Sequence, residues 1–238
     1  CGDESEVVDN EEGIQPDKWQ PVSVPDFNAD SAYRFIQEQV DFGPRYPGTA
    51  SKPSPAHDSC AAYLANKLRS YGLTVQVQEA KMPAYTGNKL QIKNIIGQFN
   101  PDNPNRILLF AHWDTRHVAD KEQDNSLAQK PILGADDGGS GVGVLLEVAR
   151  LLQVRQPTIG VDIIFFDAED YGQPGASMMQ EDKEDTWCLG TQYWARNPHV
   201  ADYNPRFGIL LDMVGAKSAV FPKEGTSMQY APTVVNRV

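Results

Sequence analysis

Between residues 107 and 211 the chain alternates short apolar runs with helix-like segments, and that alternation limits what it can fold into more than any other feature. Ile107-Leu108-Leu109-Phe110-Ala111 is wholly apolar, as a strand covered on both faces must be. Val142–Leu152 follows with Val144, Leu145, Val148 and Leu152 on one side, a helical spacing. Val161–Phe166 reads as a strand, Trp187–Ala195 as a helix and Phe207–Leu211 as a further strand. Such alternation predicts an α/β fold with a mixed, largely parallel central sheet and helices on both faces.

Upstream, Asp30 is suited to N-cap a helix running to about Val40, with Phe35 and Ile36 on its buried face. A turn-rich stretch, Phe42–Thr49, separates it from a helix over Ala56–Tyr71 that Gly72 stops. Leu73–Gln78 alternates with period two and Lys89–Phe99 reads as a second strand. Residues 1–28 carry Pro16, Pro21 and Pro25 and no sustained periodicity, so they are expected to form an acidic flexible tether, with residues 29–238 as one domain. Six acids and no base occur in the first twelve residues. The remainder still holds 26 acids against 21 bases, and a net-acidic body argues against a nucleic acid partner, which requires a basic face. No apolar run approaches the roughly 18 residues of a membrane span.

The three cysteines do not make a disulfide framework. Cys60 falls in an apolar helical pattern with Leu64 and Leu68 and reads as a buried thiol, while a Cys60–Cys188 bridge stays open. Cys1-Gly2 followed by an acidic, structureless dozen resembles a bacterial lipoprotein after signal-peptide removal. The expected location is then the periplasm or outer membrane of a bacterium, with membrane attachment only through a lipidated Cys1.

In open α/β sheets, sites collect beyond the carboxyl ends of the strands. Here the strand ends run into His112-Trp113-Asp114-Thr115-Arg116, Asp167-Ala168-Glu169-Asp170 and Asp212-Met213-Val214-Gly215. Gly134-Ala135-Asp136-Asp137-Gly138-Gly139-Ser140-Gly141 precedes the helix near Val142. Taken singly, His112 could be a satisfied core histidine, Glu169-Asp170 a solvated turn, and Asp136-Asp137 helix caps. The glycine-rich stretch lacks the Lys of a phosphate loop and carries two carboxylates that would repel phosphate. Four such features at successive points of the alternation point instead to one imidazole and several carboxylates around a divalent metal, with zinc favoured because it accepts both donor types.

These four motifs, in this order, resemble those of zinc-dependent aminopeptidases with the phosphorylase/hydrolase-like fold. Within that superfamily Arg45-Tyr46-Pro47-Gly48-Thr49, Asn94-Ile95-Ile96-Gly97, and Leu210–Ala216 running on to Phe221-Pro222 are similar to animal-type glutaminyl-peptide cyclotransferases. The resemblance covers residues from about 30 to 222. It implies zinc on Asp137 and Asp170, with His112 at the metal site and Glu169 beside it as the catalytic acid and base. His112 and Asp212 match positions that hold the second zinc in two-metal aminopeptidases and that line the site in the one-zinc cyclases, so Asp212 is expected among the catalytic residues. Asp170 stands where the family usually has Glu, one methylene longer. The third zinc ligand in both families is a C-terminal His. His57, His117 and His199 fall elsewhere in the order, so the C-terminal part of the domain is expected to lie beyond Val238.

The implied reaction is conversion of N-terminal glutamine of peptides or proteins to pyroglutamate, with one zinc. An aminopeptidase with two zinc ions is the alternative, and a non-catalytic binding lipoprotein a third reading that the retained Glu169 opposes. Trp113, Trp187, Trp194 and Tyr171 lie near the motifs and could wall a glutamine pocket or simply pack in the core.

Overall fold

A computed structural model describes residues 23–174 and 186–238, so the acidic run and Cys1 lie outside the described residues. The first helix, α1 (Ala29–Val40), is capped by Asn28, whose Oδ1 accepts the Ser31 N–H at 2.8 Å, and not by Asp30. Asp30 falls inside the first turn, where a carboxylate still favours the helix dipole. Helix α2 (Pro55–Ser70) has proline in its first turn and buries Cys60, Ala61, Leu64, Ala65 and Leu68, one stripe at three- and four-residue spacing.

Five strands form one sheet in the order β1-β2-β4-β3-β5: β1 (Thr74–Pro83), β2 (Lys89–Phe99), β3 (Arg106–His112), β4 (Gly160–Phe166) and β5 (Gly208–Leu210). The sheet is mixed but not largely parallel, which corrects the expectation from sequence. Strands β1 and β2 pair antiparallel, as do β2 and β4 with Ile95 opposite Phe165. Only β3–β4 and β3–β5 are parallel. The cause is connection length. Residues 84–88 and 100–105 are too short for a crossover of a dozen or more residues, whereas helices α3 (Gly139–Val154) and α4 (Leu189–Arg196) supply the crossovers after β3 and β4.

All seven residues of β4 are buried, and its alternate side chains enter two different cores. Ile163 and Phe165 join Ile95 and Ala111 beneath α1, α2 and α3, with Phe35, Leu64, Leu68 and Leu145. Ile164 and Phe166 join Ile96 and Leu108 on the opposite face, where Trp194 of α4 and Tyr203 cover them. Helices therefore lie on both faces, as the alternation requires. Two short exposed helices without a sequence signature, α5 (Gly225–Tyr230) and α6 (Pro232–Val235), follow β5. Cys60 is buried, and it and Cys188 are free thiols. Among the described residues no helix is long and apolar enough to cross a membrane.

Candidate metal centre

Because β3, β4 and β5 run parallel, their carboxyl ends share one edge, and the polar motifs that follow them converge there. His112 closes β3 and is buried. Its Nε2 lies 3.0 Å from Asp137 Oδ1 and 3.4 Å from Asp212 Oδ1. Ligand atoms of these three residues all fall within 4.8 Å of one another, the one such group among the described residues. A zinc ion about 2.0–2.2 Å from each donor requires tetrahedral edges of roughly 3.3–3.6 Å; the His112–Asp212 spacing falls in that range and the His112–Asp137 spacing is shorter. Both ring nitrogens of His112 lack a well-directed hydrogen bond, so the imidazole is presented to the site without being consumed by it. The carboxylates of Asp137 and Asp212 are 36% and 41% exposed, so the cluster opens to solvent and to substrate.

Local backbone makes the convergence possible. Gly138 has φ +79°, and a Cβ there would lie 2.6 Å from the Asp114 carbonyl oxygen and 3.1 Å from the His112 ring, so this turn admits only glycine. Arg45, fully buried, donates to the carbonyls of Trp113, Leu133 and Gly134 at 3.2, 2.8 and 2.8 Å, fixing the glycine-rich turn against the end of β3. Asp136 Oδ1 accepts the Gly215 N–H at 2.8 Å and Ser140 Oγ accepts that of Val214 at 3.0 Å. These bonds hold the segment after β5, and with it Asp212, opposite Asp137.

Glu169 and Asp170 sit on a turn that begins with Ala168 at φ +51°, a left-handed conformation uncommon for alanine. Asp167 secures that turn from beneath. It is fully buried, and its oxygens accept from His57 Nε2 at 2.8 Å, from the Lys93 N–H at 2.6 Å and from the Ala168 N–H at 2.7 Å. Asp114, also buried, accepts the Glu169 and Asp170 N–H groups at 3.0 and 3.2 Å while lying 3.5 Å from His112 Nδ1. One carboxylate thus holds the Glu169-Asp170 turn by hydrogen bonds and stands behind the imidazole.

The structure joins His112 and Asp137 to Asp212 and not to Asp170. Asp170 Oδ1 accepts from Arg116 Nη1 at 3.2 Å, whereas its Oδ2 is buried with no partner. Burial, helped by Asp114 and Asp137, pushes this carboxyl up to about 8 despite Arg116. Burial likewise raises Glu169, whose Oε1 lies 3.5 Å from Cys188 Sγ. For His112 burial opposes the charged form, but Asp114, Asp137 and Asp212 outweigh it and hold the imidazole well above its ordinary value. An edge where buried acids raise one another and their neighbouring imidazole is short of positive charge, which a divalent cation supplies.

Other candidates are placed elsewhere. Trp113 is core, stacked on His57 at 4.5 Å, and Trp194 packs on Phe166 across the sheet. Trp187 lies under the Arg116 guanidinium and Tyr171 stacks on His117 at 4.0 Å, both beside Asp170. His199 pairs with Trp194 on the far face. Sequence reasoning gave no role to Asp114 or Arg116, although both stand in the polar run after β3.

A family model for peptidase family M28 matches residues 94–235, more than half of the chain. The chain belongs to peptidase family M28. Among solved members of similar structure, glutaminyl cyclase of Tannerella forsythia is 56% identical with a TM-score of 0.83, over 90% of this chain and 71% of that one. Bacteroides thetaiotaomicron glutaminyl cyclase bound to N-acetylhistamine is 54% identical, TM-score 0.83, over 89% and 70%. A leucine aminopeptidase precursor from the same organism is also 54% identical, TM-score 0.84, over 90% and 72%. The chain spans about half the length or less of the curated relatives it matches.

Proposed function

We propose that this M28 chain is a zinc-dependent glutaminyl-peptide cyclotransferase, acting on N-terminal glutamine of peptides and proteins. The observation that carries the reading is the identity, at more than half of the aligned positions and across about nine-tenths of the chain, to two bacterial glutaminyl cyclases. The candidate site is consistent with it: Glu169 is retained, buried and raised above the usual carboxylate range.

The residues that would hold zinc are Asp137, Asp170 through its unpartnered Oδ2, and the His112–Asp212 pair. Bound there, zinc would polarise the γ-carbonyl of the substrate glutamine and stabilise the oxyanion that forms. Glu169 takes a proton from the substrate α-amine as its nitrogen attacks the side-chain amide carbonyl carbon. It then returns a proton to the side-chain amide nitrogen, which leaves as ammonia as the lactam carbonyl re-forms. A carboxyl raised toward neutrality serves both halves of that transfer. The attacking amine and the carbonyl belong to one residue, so proximity is built into the substrate and water must only be kept out. The setting assigned with this activity is outside the cytoplasm of a bacterium, with any membrane attachment through a lipidated Cys1.

A second reading, an aminopeptidase, is favoured by one feature. Asp137 clusters with His112 and Asp212 and also raises the Asp170 carboxyl through its charge, and one similar structure is a leucine aminopeptidase precursor. Incubation of the purified protein with Gln-Xaa and Leu-Xaa peptides separates the two. Ammonia from the first with the second left intact supports the cyclase; free leucine, with two metal ions per chain, supports the aminopeptidase.

A further inference from the structure

Arg116 is buried at the acidic edge and takes no part in the chemistry above. Its guanidinium is fixed from two sides. Nε and Nη2 donate to the two oxygens of Asp120 at 2.6 and 2.7 Å, and the group lies over the Trp187 ring at 4.7 Å. A planar fork anchored in this way has no freedom left in the direction of its remaining donor. That donor, Nη1, reaches the Asp170 carbonyl at 2.9 Å and Asp170 Oδ1 at 3.2 Å. The outcome is an aspartate tethered at its backbone and at one oxygen, with the other oxygen buried and unpartnered.

We infer that Arg116 is a positioning residue that commits Asp170 to one-oxygen ligation, occupying Oδ1 and leaving Oδ2 for the metal. The inference rests on the reading that Asp170 is a ligand. It gives the short side chain a rationale: a carboxylate on one methylene reaches less far and turns less freely than glutamate, and the arginine fixes the orientation in which it is offered. Partners of this kind behind a ligand typically change metal affinity by about 10- to 100-fold.

The test measures the zinc dissociation constant by competition with a chromophoric chelator, and counts zinc-bound oxygens by X-ray absorption. Arg116→Gln should raise the dissociation constant about 10- to 100-fold and add an oxygen to the zinc shell as Asp170 becomes bidentate. Arg116→Lys, which keeps the charge but not the fork, should lie between. Asp120→Asn loosens Arg116 from outside the site and should shift both readouts in the same direction by less; it carries the test if Arg116→Gln does not fold. Unchanged affinity and shell in these variants, with zinc lost in Asp170→Asn, would overturn the role of Arg116 alone. Wild-type zinc affinity in Asp170→Asn would instead overturn the ligand assignment on which it rests.

Discussion

Replacing Gly141 by alanine introduces one methyl group at the point where the first turn of α3 touches two of the site-bearing strand ends. The new Cβ would lie 2.2 Å from the Leu211 carbonyl oxygen and 3.0 Å from Ala111 Cβ. Leu211 immediately precedes Asp212, and Ala111 precedes His112. To reach a tolerable contact the backbones must part by about 0.8 Å or more, and misplacements near 1 Å can cost about 10²-fold in rate. Asp212 Oδ1 now stands 3.4 Å from His112 Nε2, so a shift of that size opens the cluster. Overpacking should lower stability by about 1–3 kcal/mol, or roughly 2–4 °C in Tm for each kcal/mol in a chain of this size. The assay is kcat and KM on a Gln-Xaa peptide, with zinc content and thermal midpoint measured on the same preparation. Gly225→Ala, where a Cβ would meet nothing within 4 Å, is the control and should behave as wild type. Turnover and zinc content within twofold of wild type in Gly141→Ala would refute the idea that this contact sets the position of Asp212.

Glu169→Gln should retain fold and metal while turnover falls roughly 10²–10⁴-fold, the usual contribution of a positioned acid–base group; near-normal turnover would remove Glu169 from that role. His57→Ala leaves fully buried Asp167 with only backbone donors. Urea unfolding should report a loss of about 3–5 kcal/mol, as for other broken buried pairs, and a loss under 1 kcal/mol would contradict it. His117 is held down to about 4 by burial, so the folded protein resists its protonation more than the unfolded chain does. Its contribution to stability is complete above the unfolded value near 6.5 and is lost as pH falls from there toward 4. His117→Phe should flatten that part of the stability–pH curve, and an unchanged curve would show the burial to be inconsequential.

The strands and the edge where chemistry gathers were legible because each carries a local signal. Lys89–Phe99 matches β2 in full, and the acids following β3, β4 and β5 mark the carboxyl edge. Strand direction was not legible, since the residue pattern of β2 reads as a strand in either orientation; the short connections before and after it hold that information. Asn28 prevailed over Asp30 as the cap, and its backbone N–H also donates to Glu147 Oε1 at 2.9 Å, a tie to α3 that no local pattern reveals. Asp114 and Arg116 escaped notice for the same reason: their partners Glu169 and Asp170 lie more than fifty residues on. The fold also draws Asp212 into one cluster with His112 and Asp137 and sets Asp170 beside Arg116, placements that the order of the motifs does not reveal.

The central claim is that the nucleophile is the substrate's own amine and not water. Turnover of a Gln-Xaa-Xaa peptide in water labelled with heavy oxygen, read by mass spectrometry, tests it directly. The expected product is an unlabelled pyroglutamyl peptide with one ammonia released per turnover. Free glutamine, or label carried into a newly formed carboxylate, would show that water is the nucleophile and would rule out intramolecular attack.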